Sequence, residues 1–164
     1  MSVKLLSTVR LGAFICASAL FSLTAAAQTL TYGAPINLDT AKKIAAGAAA
    51  EAKKNNFTMV ISIVDSSGSL TYLEKIDGTQ LASIDVAIGK ARTANNFKRP
   101  TKALEDAVAG GRNVLLSLPN AVLIEGGIPI VVDNKIIGAI GVSGGTSQQD
   151  AQVASAGLAV LTAK

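Results

Sequence analysis

The chain has no histidine and no tryptophan, and its single cysteine, Cys16, lies near the amino terminus. Without histidine there is no Ser-His-Asp triad, and without a second cysteine there is no internal disulfide and no thiolate or imidazole set for zinc or copper. No metal site is therefore expected. Aromatic residues make up only 4% of the chain and are not interleaved with basic ones, and no concentrated basic stripe is present, which excludes a nucleic-acid partner. No internal repeat is visible.

What the amino terminus does contain is an ordered signal. Lys4 and Arg10 precede an apolar core from Leu11 to Leu23, and Ala25-Ala26-Ala27 follows before Gln28. This is the pattern of a secretory leader cleaved after residue 27, with small residues at the cleavage site. The apolar run is shorter than the roughly 20 residues of a spanning helix, so no membrane anchor is expected after processing. Ile15 before Cys16 argues against a lipoprotein site. The expected protein is periplasmic or secreted, a single domain over residues 28–164. The leader carries two of the fifteen basic residues and no acidic one, so its removal lowers the formal charge of +4 by two.

After an extended lead around Tyr32 to Pro35, Asp39 to Lys54 has helical periodicity, with Ala41, Ile44, Ala45, Ala48 and Ala52 on one face. Thr58 to Val64 is apolar on both faces except at Ser62, as in a central strand, and Ser69 to Lys75 follows a turn at Asp65–Gly68 as its antiparallel partner. Met59 reads as core filling. A second helix, from Thr79–Ser83 to about Phe97, has Ile84, Ala87, Ile88, Ala91 and Ala94 packed, leaving Asp85, Lys90, Arg92 and Asn96 toward solvent. Pro100 stops it, and Thr101 to Val108 is a shorter helix closed by Gly110-Gly111. Asn113 to Pro119 is irregular or a short helical turn. Ala121 to Glu125, Ile128 to Val132 and Ile136 to Val142 read as strands, and Ser147 to Ala163 as a last helix with Val153, Gly157, Val160 and Leu161 inward. The order αββααβββα, with hairpins at both ends, predicts an α+β fold. Its core is a mainly antiparallel five-stranded sheet flanked by helices, a profilin-like three-layer sandwich.

Three stretches carry candidate chemistry. From Ile136 to Asp150 an apolar strand with Gly138 and Gly141 enters a helix through Gly144-Gly145-Thr146. Thr146 and Gln149 have capping-box spacing, so the corner reads either as a ligand-facing cradle for an anion or as a tight strand-to-helix connection. Glu125 before Gly126-Gly127 is either a proton-transfer group, an anchor for a ligand, or a loop cap. Lys98 to Lys102 is either a cationic clamp for carboxylates or an exposed turn.

Asp77-Gly78, Ala82-Ser83, Ile88 to Ala94, Arg99-Pro100-Thr101, Gly110-Gly111-Arg112, Glu125-Gly126-Gly127 and Gly141 to Gly145 occur in one order. In these motifs, from about Leu38 to Leu161, the chain resembles the GlcG/HbpS family of haem-binding proteins, which is similar to the carboxy-terminal domain of PduO-type proteins. The resemblance implies a homo-oligomer and a small-molecule ligand, with haem as the cofactor for scavenging, sensing or degradation. Histidine coordination is impossible here, which leaves the oxygens of Tyr72, Thr93 or Thr101. Lys90, Arg92, Arg99, Lys102 and Arg112 are the candidate partners for propionates. The walls of the site would be Glu125, Gly126, Gly127, Gly144, Gly145 and Thr146. The competing reading makes the protein an enzyme or binder for a small carboxylate. Glu125 then moves a proton near Arg112, and the amides of Gly144 to Ser147 hold the anion. A third reading assigns the glycines to subunit packing alone.

Overall fold

The structure, a computed structural model, describes residues 30–162; the expected leader, residues 1–27, lies outside them. Helix α1 (Leu38–Lys54) begins where the Asn37 side chain accepts the Thr40 N–H at 2.8 Å. Asp39 sits in its first turn and Lys53 and Lys54 in its last, charges placed to favour the helix dipole. Its five predicted inward residues, from Ala41 to Ala52, are fully buried. They pack on β2 (Val60–Asp65), a central strand, and on β3 (Leu70–Lys75), an edge strand.

Helix α2 (Ser83–Phe97) and helix α3 (Thr101–Ala109) follow, then a 3₁₀ turn over Asn113–Ser117. Strands β4 (Gly127–Val132) and β5 (Lys135–Ser143) form a hairpin whose two turn residues, Asp133 and Asn134, both have positive φ, as tight hairpins require. Helix α4 (Ser147–Ala159) closes the chain. Strand β5 lies at the centre, pairing antiparallel with β4 and with β2. Alternate residues separate the layers: Ile61, Ile63, Ile140 and Val142 meet α1 and α4, whereas Val64 and Ala139 meet Ala91 and Ala94 of α2. The three-layer α+β sandwich is as expected.

Four details differ from expectation. Residues 121–125 form no strand. The fifth strand is instead β1 (Thr31–Tyr32), inside the extended lead, and it pairs parallel with Lys135 and Ile136 of β5, so the sheet is mixed. The element order therefore becomes βαββααββα, with the 3₁₀ turn before β4. Lys90, expected toward solvent, is 1% exposed, and the buried face of α2 is rotated to include Ser83, Lys90, Thr93 and Asn95. Finally, α4 ends at Ala159, which leaves Val160 and Leu161 exposed. Among the described residues, no helix is long and apolar enough to cross a membrane.

Candidate functional site

The glycine-rich corner between β5 and α4 has the predicted cap. Thr146 Oγ1 accepts the Gln149 N–H at 3.3 Å, and Gln149 Oε1 accepts the Thr146 N–H at 3.0 Å. The anion in this corner belongs to the chain itself. Asp150 Oδ1 accepts the Gly145 N–H at 3.1 Å, and Asp150 Oδ2 accepts Lys90 Nζ at 2.7 Å. Lys90 Nζ also donates to Val142 O at 3.1 Å. Gly126 has φ +123° and lies against this pair; a β-carbon there would come within 2.9 Å of Lys90 Nζ and 2.8 Å of Asp150 Cβ. Burial pushes the Asp150 carboxyl above the usual carboxylate range, against the opposing pull of Lys90 and the corner amides. A buried ion pair thus ties α2 to α4 around the end of the sheet.

The segment expected as a strand is held differently, because two of its N–H groups, and that of Gly127 just beyond it, donate to side chains. Val122 N donates to Thr93 Oγ1 at 2.8 Å, Glu125 N to Glu105 Oε2, and Gly127 N to Thr101 Oγ1 at 2.9 Å. Helices α2 and α3 therefore do the work of a strand partner, and Gly89 lets Val122 press against α2. Replacing Thr101 by valine keeps the shape and leaves the buried Gly127 N–H without an acceptor. The expected loss is about 1–3 kcal/mol, read from the urea midpoint; an unchanged midpoint would show that this N–H finds another partner. Glu125 Oε2 is buried and has no hydrogen-bond partner among the described residues.

The structure therefore brings Lys90, Thr93, Thr101, Glu125, Gly126, Gly127, Gly144, Gly145 and Thr146 into one region, where most of their polar groups satisfy one another. Arg99 and Arg112 stand apart as exposed side chains, with Arg99 Nε donating to Phe97 O at 3.1 Å. Lys102 pairs with Asp106, and Arg92 Nε donates to Gly68 O at 3.2 Å.

An open groove lies elsewhere, between the end of α1 and β3. It has a volume of about 450 Å³ and is lined by Ala49, Lys53, Asn56, Phe57, Thr58, Glu74 and Ile76. Tyr72 packs beside Ala49, Phe57 and Ile76 against the same core, and its hydroxyl donates to Glu74 Oε2 at 3.0 Å. Burial, and then Glu74, raises the Tyr72 phenol above its ordinary range. Apart from Tyr72, reasoning from sequence missed this place. The available signal was Tyr72 and Glu74 two residues apart on one strand face, beside the helix stop at Asn55-Asn56.

Comparison with known proteins gives a consistent picture. Residues 36–159 match the family model described as "Haem degrading protein HbpS-like". GlcG of Escherichia coli is 44% identical over 103 residues, covering 63% of this chain and 77% of that protein. A double mutant of HbpS from Streptomyces reticuli is similar in structure with a TM-score of 0.73 at 31% identity, over 80% of this chain and 90% of that one. The PduOC:heme complex is similar with a TM-score of 0.70 at 28% identity, over 76% and 94%. The protein described above, with its layered α+β sandwich and its motifs in order, belongs to the HbpS-like family.

Proposed function

We propose that this protein binds haem, seating the porphyrin in the groove between α1 and β3. The observation that carries the reading is the likeness to the PduOC:heme complex over nearly all of that chain. The groove fits such a ligand: its volume lies within the roughly 300–1,000 Å³ of small-molecule sites, and Ala49, Phe57 and Ile76 give it an apolar wall. Lys53 lines the same groove and forms no ion pair among the described residues, so it is placed to hold a propionate. The groove is preferred over the glycine corner because the chain already fills that corner with Asp150. When bound, haem supplies a redox-active iron; the protein's own contribution is to exclude water from the macrocycle and fix its edge. The leader-like amino terminus supports a periplasmic or secreted location. Leu81, Val114 and Leu116, all more than two-thirds exposed, support assembly into a homo-oligomer.

Titrating haemin into the purified protein is expected to give a saturable Soret shift at one haem per chain. Lys53→Met is expected to weaken binding about tenfold, the scale of one charge-assisted hydrogen bond. No saturable shift at stoichiometric haemin would overturn the reading. The unpartnered Glu125 oxygen favours a second reading, proton transfer on a small carboxylate. Glu125→Gln separates the two readings, because it leaves the haemin titration unchanged if haem sits in the groove.

A further inference from the structure

We infer that Tyr72 is the iron ligand of this protein and that Glu74 accepts its phenolic proton; the inference rests on the haem reading above. The ligand inventory is short. There is no histidine, and Met59 is fully buried within the core. Thr93 Oγ1 and Thr101 Oγ1 each accept a backbone N–H on the far side of the sheet from the groove. Tyr32 donates its hydroxyl to Asn95 O at 3.0 Å, and its ring lies 4.6 Å from Lys98 Nζ, again beside α2. Tyr72 is the strong oxygen donor whose hydroxyl stands one hydrogen bond from a residue lining the groove.

Its setting suits the task. Tyr72 and Glu74 share the face of β3 that meets α1, and β3 is an edge strand with neighbours along only one side. A half-buried phenol with no base beside it would keep its proton. Here the O–H already points at a carboxylate 3.0 Å away. On ligation the Tyr72 O–H bond would break, its proton would pass to Glu74 Oε2, and the phenolate oxygen would take the place on ferric iron of the water that haemin carries, which leaves to solvent. No electron is transferred, and the carboxylate becomes a neutral acid, so the site gains no net charge from the two side chains.

The test compares the full chain with Tyr72→Phe and Glu74→Gln, using ferric haemin and metal-free protoporphyrin IX as separate probes. Protoporphyrin reports the seat alone, and haemin reports the seat plus ligation. Tyr72→Phe is expected to bind protoporphyrin as the parent does, to bind haemin about tenfold or more weakly, and to lose the phenolate-to-iron charge-transfer absorption. Glu74→Gln is expected to weaken the same absorption per haemin bound, since the proton has no acceptor, while protoporphyrin reports separately any change in the seat that Glu74 lines. An identical haemin spectrum in Tyr72→Phe, or an equal loss of both probes, would overturn the ligand assignment while leaving haem binding standing. Failure of the parent protein to bind either probe removes the haem reading and this inference together. If Tyr72→Phe does not fold, as judged by circular dichroism, Glu74→Gln decides: an unchanged haemin spectrum there also rejects the proposal.

Discussion

Replacing Lys90 by methionine is expected to cost about 3–5 kcal/mol of stability, the scale of breaking a buried ion pair by removing one partner. Methionine fills a similar volume, so the cost comes from charge rather than from a cavity. Asp150 keeps the Gly145 N–H but loses its cation, and Val142 O loses its donor at the same time. A buried carboxylate left in this state is penalised by its desolvation. Because the folded-state pKa of Asp150 is already raised, and rises further without Lys90, the folded variant holds this proton more tightly than the unfolded chain does. Its stability therefore increases as the pH falls from neutral toward the carboxylate range, and the deficit against the parent shrinks. The double variant Lys90→Met with Asp150→Leu removes both charges and is expected to recover much of the loss. Urea denaturation at two pH values reads all three outcomes. A Lys90→Met midpoint within about 1 kcal/mol of the parent would show that water reaches the pair.

This pair also marks the limit of what the sequence discloses. The stretch from Ile136 to Asp150 is recognisable as a strand, a glycine corner and a capped helix, because alternation and capping-box spacing are local patterns. That its anion is Asp150 is not local, since the partner lies sixty residues earlier on α2. A helical wheel puts lysine outside by default, so the buried face of α2 is misplaced just where one charge goes inward. The inward face of α1 is legible because its buried positions are alanine and isoleucine and its charged residues lie outward. The segment 121–125 misleads for a related reason. Its apolar residues look like a strand, but the N–H groups of Val122 and Glu125 find the side chains of Thr93 and Glu105. Strand β1 escapes notice as a strand because two residues carry no alternation. The groove is assembled from α1, the turn after it and β3, so its one local signal, Tyr72 and Glu74 on one face of β3, does not by itself disclose a cavity.

Gly141→Ala is expected to cost about 3 kcal/mol or more, at the upper end of overpacking effects. Gly141 and Gly127 are directly paired across β5 and β4, and together they make a shelf on which the backbone of α2 rests. A β-carbon on Gly141 would come within 2.1 Å of Ala87 O and 2.5 Å of Ala91 N, and one on Gly127 within 2.4 Å of Lys90 O. These are helix backbone atoms, so relief requires moving α2 as a body rather than rotating a side chain. Gly47→Ala is the control. Its β-carbon would meet Val160 Cγ1 at 2.5 Å, the end of an exposed side chain that can turn away, and alanine favours a helix interior by roughly 1 kcal/mol over glycine. A stability change within about 1 kcal/mol is expected for this control, and an equal loss in both variants would discredit the backbone-shelf account. The shelf sets how near α2 lies to the sheet, and that distance lets Lys90 reach both Val142 O and Asp150. Gly141→Ala should therefore already strain the ion pair, and adding Lys90→Met to it is expected to cost less than the sum of the two.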